Sequence, residues 1–355
     1  MTTDTVLVTG AFGLVGSATV RQLLADGRRV VATDLDVPAN RKAAALLPSD
    51  AVRWADLTDP DAVAELLRAV SPAAIIHLAA IIPPVCYARP ALARRVNVDA
   101  TGFLLSAAAA LPAPPRFVQA SSVATYGARN PHRVRDVLAA DTPQHPSDIY
   151  GAHKVEAEEL VRASGLDWVV LRLGGVLTAD PRFDIDLDTL YFEASLPIDG
   201  RIQTVDVRDV ARAFVAATTA PVIGETLLIG GDDSHRLVQG DIAPSMAAAM
   251  GLVGGIPAGR RGNPDIDADW FGTDWMDTAR SVEALDFQRI SWPQLLAETA
   301  ERMGWRRYPA RLAAPLAHAV LRRRSPYYRH PGRYADPWRV IAAKWPDPRA
   351  EKGHE

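Results

Sequence analysis

An α/β fold organised around a doubly wound parallel sheet is predicted for this 355-residue chain by three observations. Apolar, strand-like runs alternate with helical patterns through the first half, the order expected when crossover helices join parallel strands. The first run leads into glycines at three-residue spacing, in Thr5-Val6-Leu7-Val8-Thr9-Gly10-Ala11-Phe12-Gly13-Leu14-Val15-Gly16. A hydrophobic content of 48% supplies apolar surface for a large core, and the length suits one large or two unequal domains.

The β-branched run 5–9 reads as a buried strand, and Leu14, Ala18 and Gln22 with Val15, Leu23 and Leu24 give the spacing of the helix that follows. Residues 29–33 form a second strand ending at Asp34. Runs 73–78, 116–120 and 168–173 are further strands, each preceded by a helical segment at 60–70, 100–111 and 152–164. Right-handed crossovers then line the carboxyl ends of these strands along one edge. After Gly175 the regularity weakens: 176–204 reads as loop and short helix, 205–220 as a helix returning to the sheet, and 225–229 as one more strand. From 236 the pattern is helical and irregular and holds six of the eight tryptophans, Trp270, Trp275, Trp292, Trp305, Trp338 and Trp345. The expected organisation is a Rossmann-type domain over 1–175, rejoined by 205–235, with a smaller, mostly helical substrate-binding region over 176–204 and 236–308. A basic, aromatic tail covers 309–355, and its last ten residues are expected to fray.

Each glycine of the first turn has a physical task. Lacking Cβ, the backbone can turn at Gly10, approach a pyrophosphate at Gly13, and pack helix on strand at Gly16, while N–H groups at the helix N-terminus, beside Phe12 and Leu14, face the phosphates. That is a dinucleotide cradle. Asp34 follows Gly16 by 18 residues, near the spacing at which an acid hydrogen-bonds a ribose diol. Its carboxylate repels a 2′-phosphate, and no cation stands in the glycine loop or directly after it, Arg41 being the nearest downstream, so NAD is the expected cofactor.

A formal net charge of −3 gives no electrostatic case for nucleic acid. Cys86 is the only cysteine, which excludes an intrachain disulfide and a cysteine-based metal cluster and suits a reducing compartment; no metal is expected. The beginning of the chain has no basic leader pattern, and the apolar stretches 73–83 and 102–111 are too short to span a bilayer, so a cytoplasmic protein with a small-molecule substrate is expected, and a membrane role is not. Leu312, Leu316, Ala319 and Val320 share a helical face ending in Arg322-Arg323-Arg324, with Pro315 interrupting it; this stretch is expected to pack on its own domain or on a second subunit.

Tyr150 and Lys154 stand at i and i+4 at a helix start, so phenol and ammonium project from one face. Eight tyrosines and four lysines would produce roughly 0.1 such pairs by chance. The ammonium and the positive nicotinamide ring of a bound NAD are expected together to favour the phenolate and bring the phenol, ordinarily near ~10, toward neutrality as an acid/base. Ser121 and Ser122 end the strand at 116–120, where a hydroxyl can hold a reacting oxygen. With the glycines, this set resembles the extended short-chain dehydrogenase/reductase family of NAD-dependent epimerases, dehydratases and dehydrogenases, over about residues 5–235. The family's T-G-x-x-G-x-x-G is met by Thr9, Gly10, Gly13 and Gly16, and its acidic-hydrophobic adenine contact by Asp56-Leu57. The segment beside the nicotinamide half matches His77-Leu78-Ala79-Ala80, the helix asparagine Asn97, and S-S-x-x-x-Y-G the run from Ser121 to Gly127. The resemblance implies that Ser122 is the catalytic hydroxyl, Tyr150 the acid/base, and Lys154 both pKa modifier and ribose ligand. It implies a homodimer through the helices carrying Asn97 and Tyr150. His77 and Asn97, read alone, are ordinary strand-end and helix residues.

Departures from the family narrow the reading. Val123-Ala124-Thr125 stands where sugar-nucleotide dehydratases carry an Asp-Glu pair, which argues against dehydration. Leu173-Gly174-Gly175 follows Arg172 where many epimerases carry an asparagine for the substrate pyrophosphate, although Arg201, Arg260 or Arg261 remain candidate phosphate clamps. Segment 183–196, beginning at Phe183, and the tryptophan-rich region beyond Asp269 are candidate walls of an apolar pocket. The expected function is hydride transfer between NAD and a secondary alcohol or ketone of an apolar metabolite; the alternatives are nucleotide-sugar epimerisation with an internally recycled cofactor, and a non-catalytic NAD-binding or scaffold protein.

Overall fold

The computed structural model describes residues 5–181 and 186–346. Its central sheet is all-parallel, in the order β3-β2-β1-β4-β5-β6-β9, with β1 Val6–Thr9, β2 Val30–Asp34, β3 Val52–Trp54, β4 Ala74–His77, β5 Arg116–Ser122, β6 Trp168–Leu173 and β9 Glu225–Ile229. Both faces are covered, so the strands carry apolar residues on both sides. Val6, Val8, Ala74, Ile76, Val118 and Val169 pack with Val20 and Leu23 of the helix Leu14–Ala25 and Phe214 of the helix Val207–Ala217. The alternate residues Leu7, Val31, Ile75, Phe117 and Val170 face Leu66 and Leu67 of the helix Pro60–Val70 and Leu104 of the helix Ala100–Ala109. The strand order reverses at β1, which has β2 on one side and β4 on the other. The crevice beyond their carboxyl ends is where such sheets bind ligands.

A second, three-stranded sheet holds β7 Gly175–Leu177, β8 Arg201–Asp206 and β10 Arg236–Val238, in the order β10-β8-β7. Segment 176–204 was expected to be loop and short helix; it contains the helix Leu187–Ser195 but also β7 and most of β8. The strand hides because it lacks an apolar pattern: Arg201, Gln203, Thr204 and Asp206 are all buried. Gln203 Nε2 donates to Gly231 O at 2.6 Å while its Oε1 accepts from Met276 N at 2.8 Å. The helix expected at 205 starts at Val207, capped by Asp206, whose carboxylate accepts from Arg208 N at 2.8 Å.

The helix expected over 152–164 is Ile149–Ala163, its start set by Asp148, which accepts from Gly151 N at 2.8 Å. The helix expected at 100 is preceded by Pro90–Arg94 and a π turn, Arg95–Asp99. Near the end of the chain, Arg307–Arg324 is one helix running through Pro315, which corrects the expected interruption: a single proline removes one N–H, and the alanine-rich flanks are strong helix formers. The segment after it returns over the helix Leu187–Ser195, with Tyr327 Oη donating to Ser195 O at 2.6 Å and the Trp345 ring 5.9 Å from Tyr191. Phe183 and residues 347–355, most of the stretch expected to fray, lie outside the described residues.

Candidate active site

A cavity of about 430 Å³ opens along the carboxyl edge of the main sheet, from Gly10, Gly13 and Gly16 to Ser122, Tyr150 and Lys154. At its first end space is set by missing Cβ atoms. Gly10 adopts φ +62°, and a Cβ there would sit 2.7 Å from Ala79 N; at Gly16 it would sit 2.1 Å from Gly10 O. Gly13, the helix N-cap, meets only Gly10 O, at 3.4 Å, and makes no side-chain cap hydrogen bond. The first-turn N–H groups of the helix Leu14–Ala25 are left facing the crevice.

Thr9 ties this loop to β4. Its Oγ1 lies 2.7 Å from His77 Nδ1 and accepts from Leu78 N and Ala79 N at 3.2 and 3.3 Å. His77 Nε2 reaches Thr101 Oγ1 at 3.1 Å, and burial holds the imidazole down at about 3, so it stays neutral. Asn97 grips the next turn from both sides, accepting from Ile81 N at 2.7 Å and donating to Ile81 O at 2.9 Å. Leu78 and Ala80 line the cavity; Ala79, Asn97 and His77 stand behind it. Asp34 ends β2 beside the glycine loop, accepting from Phe12 N at 3.1 Å and Leu35 N at 2.8 Å. Arg41 is paired with Asp36, through Nη2 at 2.7 Å, and makes no contact with Asp34. Asp56 is exposed and holds Thr58 through N and Oγ1 at 2.9 and 2.8 Å, while Leu57 is in the core; neither lines the cavity.

At the centre, Ser122 Oγ accepts from Ala124 N at 3.1 Å and stands by the Tyr150 phenol, whose ionisation it favours. Gly151 makes that juxtaposition possible, since a Cβ on it would meet Ala124 O at 2.4 Å. Lys154 is buried, donates to Ala120 O at 2.8 Å, and lies 5.8 Å from the Tyr150 ring. Burial dominates both groups. It pushes the phenol up, against the Ser122 hydroxyl, and brings the lysine down to about 8. Burial thus sets the direction for the phenol here; the expected lowering belongs to the ammonium and the nicotinamide ring acting together. Ser121 points the other way, donating to Glu158 at 2.5 Å, inside a buried network in which Arg172 donates to Glu158 at 2.9 and 2.7 Å and to Tyr126 Oη at 2.6 Å. The two adjacent serines thus divide: one faces the cavity centre, the other braces the sheet.

The far end is apolar, walled by Ile82, Pro83, Val176, Phe192, Ile202 and Phe271. Phe271 packs on Phe192 at 5.6 Å and is backed by Trp338 at 5.7 Å. The tryptophans expected to line it do not: Trp270 is fully buried elsewhere, Trp292 belongs to a separate core cluster and Trp305 is exposed. Phe192 and Phe271 fall in the two stretches expected to wall an apolar pocket, whereas the wall residues from 82–83, 176 and 202 had no local signal, because loops and short strands distant in sequence bring them together. The three candidate phosphate clamps are also occupied elsewhere. Arg201 is bound to Asp274 at 2.7 Å under Trp275, Arg261 to Asp199 at 3.0 Å, and Arg260 donates to the His330 carbonyl at 2.6 Å. Among the described residues, Lys154 is the one charged side chain lining the cavity.

Residues 6–194 match the family model described as the NAD dependent epimerase/dehydratase family. The chain belongs to that family. It is 32% identical over 183 residues to D-erythronate dehydrogenase of Cupriavidus necator, covering 47% of this chain and 54% of that one. It is 30% identical over 267 residues to dTDP-glucose 4,6-dehydratase 1 of Escherichia coli, covering 66% and 74%. For most of the curated relatives it matches, the chain spans about half of their length. Its fold is that of the Thermus thermophilus UDP-glucose 4-epimerase crystallised with NAD, with a TM-score of 0.67 at 22% identity over 84% of this chain and 98% of that one. NAD is the family's cofactor, and the Rossmann-type sheet is shared with these neighbours.

Proposed function

We propose that the protein is a cytoplasmic NAD-dependent oxidoreductase that transfers a hydride between the nicotinamide and a secondary alcohol or ketone of a small, apolar metabolite. The observation that carries this reading is one continuous cavity running from the glycines through Ser122, Tyr150 and Lys154 to an apolar wall, in which Lys154 is the only charged side chain among the described residues. The residues fit NAD, because the loop has room only where Cβ atoms are missing and ends on unpaired helix N–H groups. Gly10, Phe12, Gly13, Leu14 and Gly16 would hold the pyrophosphate, Asp34 the ribose diol and Asp56-Leu57 the adenine side. Leu78, Ala79 and Ala80, braced by Asn97, would face the nicotinamide half, with Tyr150 and Lys154 on its ribose. When bound, NAD supplies the hydride donor or acceptor.

Ser122 and Tyr150 would hold the substrate oxygen. Burial keeps the phenol protonated, which suits it to give a proton to a carbonyl oxygen during reduction; in oxidation Tyr150 takes the hydroxyl proton as the phenolate, the form that the Ser122 hydroxyl favours. Lys154, buried on the same helix face, holds its amine in place through Ala120 O. The dehydrogenase relative supports this class of reaction. Nucleotide-sugar epimerisation is the second reading, favoured by the epimerase likeness but opposed by the engagement of Arg201, Arg260 and Arg261 elsewhere. The same reading includes a homodimer through the helices carrying Asn97 and Tyr150, to be checked by light scattering.

The test is to denature the purified protein, identify any cofactor released, and assay apolar secondary alcohols and ketones against UDP-sugars. Reversible NADH binding with turnover of an alcohol or ketone is expected. Stoichiometric, non-exchanging NAD together with UDP-sugar interconversion would overturn the reading.

A further inference from the structure

The helix Arg307–Arg324 is turned inside out relative to an ordinary surface helix. Its small residue Ala314 is buried, and His318 reaches Gly254 O at 3.1 Å, so this face lies on the protein. Its large apolar residues face outward: Tyr308 is 73% exposed, Leu312 85%, Leu316 69% and Val320 43%, and Trp305, just before the helix, is 73% exposed. At 100° per residue they fall within an arc of roughly 120°.

The surrounding charge is one-sided. Residues 304–335 contain eight arginines, Arg306, Arg307, Arg311, Arg322, Arg323, Arg324, Arg329 and Arg333, and no aspartate or glutamate. Among the described residues none of the eight forms an ion pair, whereas most other arginines in the protein do. At the helix's C-terminal end an open cleft of about 500 Å³ is lined by Arg260, Arg322 and Arg329 with Ser325, Tyr327 and Tyr328. Among the described residues Arg260 is bound there only to backbone carbonyls, stacked 4.7 Å over Tyr327, and no carboxylate lines the cleft beside its guanidinium groups.

We propose that this helix is an in-plane docking surface for an anionic phospholipid bilayer, with the apolar stripe entering the headgroup region and the flanking arginines meeting lipid phosphates. The helix is too polar to span: among the described residues no helix is long and apolar enough to cross a membrane. A second copy of the chain is a poorer occupant. An antiparallel pair of these helices would set Arg322–Arg324 against Arg306, Arg307 and Arg311, with no acid between 304 and 335 to offset them. The exposure shows that the Leu312 face does not pack on the chain's own domain; between the second subunit expected from sequence and a bilayer the test below decides.

The test is flotation of the full-length, NAD-loaded protein with vesicles of phosphatidylcholine alone or containing phosphatidylglycerol. The expected result is flotation with anionic vesicles only, falling at least tenfold in high salt. A Leu312→Asp/Leu316→Asp variant is expected to lose it at unchanged thermal stability and NAD affinity, and Arg322→Ser/Arg323→Ser/Arg324→Ser to weaken it about tenfold. Failure to float with anionic vesicles, or undiminished flotation of the aspartate variant, would overturn the proposal. So would complete displacement by inorganic phosphate at constant ionic strength, which would assign the cleft to a free anion, or a dimer broken by Leu312→Asp without vesicle binding, which would assign the stripe to a second copy.

Discussion

At the glycine end of the cavity the walls are backbone: Gly10 and Gly16 fit because they lack a Cβ, and Gly13 leaves the helix N-terminus open. At the other end the walls are side chains, Ile82, Phe192, Ile202 and Phe271, delivered by four stretches far apart in the chain and backed by Trp338 from the C-terminal segment. The first end is specified by seven consecutive residues, and its shape excludes a Cβ at Gly10 and Gly16. The second is specified by packing between distant elements, and its chemistry can change one side chain at a time. Binding of the cofactor and selection of the substrate are thus physically separable, with Ser122, Tyr150 and Lys154 at the seam.

The sharpest way to break that separation is at the seam. Tyr150→Phe is expected to lower kcat about 10³-fold, within the range for a positioned acid/base, while the NAD Kd stays within about threefold. Equal losses in turnover and NAD affinity would make Tyr150 a binding residue and erase the distinction between the two ends.

Lys154 gives the next largest effect, read as stability against pH. Burial lowers its pKa to about 8, below the ordinary value of about 10.4, so between these values the unfolded chain binds a proton that the folded chain does not. Stability from this group therefore rises with pH across that window, and below about pH 8 the full cost of burying the ammonium is present. Relative to Lys154→Met, the wild type is expected to gain about 3 kcal/mol between pH 8 and 10.5, measured by denaturant unfolding. A flat difference curve would mean that the ammonium is solvated and the seam open to water.

How far the sequence could be read follows the same division. β1, β2, β4, β5, β6 and β9 were legible because strands buried on both faces are continuous apolar runs, and the glycine turn because its constraint is local. The orientations of Ser121 and Ser122 were not, since the choice depends on Glu158 and Arg172 meeting across two other elements. β8 was hidden because four of its six residues are polar and buried. The outward face of the helix Arg307–Arg324 shows the same limit in reverse: periodicity located an apolar stripe at Leu312 and Leu316, but which side met the protein was decided by Ala314 and the loop at Gly254.

At the apolar end, Phe271→Ala is expected to cost ten- to a hundredfold in kcat/KM for an apolar substrate, the ~1–3 kcal/mol scale of removing hydrophobic contacts from a pocket, with NAD affinity unchanged. The same loss for NADH binding would mean that the aromatic wall serves the cofactor.

The smallest effect tests the glycine end by charge rather than shape. The Asp34 carboxylate is fixed by Phe12 N and Leu35 N, where it accepts hydrogen bonds from a ribose diol but repels a 2′-phosphate. Two unit charges 4 Å apart interact by about 4 kcal/mol at an effective dielectric of 20, and solvent at this open strand end reduces that. Asp34→Ala is expected to lower the NAD-to-NADP ratio of kcat/KM about tenfold. It should not reverse the ratio, because Arg41 remains held by Asp36 and supplies no phosphate ligand. Releasing Arg41 with Asp36→Ala in the same chain is expected to move the ratio further toward NADP. If neither substitution changes the ratio, discrimination lies outside the strand end, and the backbone cradle alone defines the cofactor half.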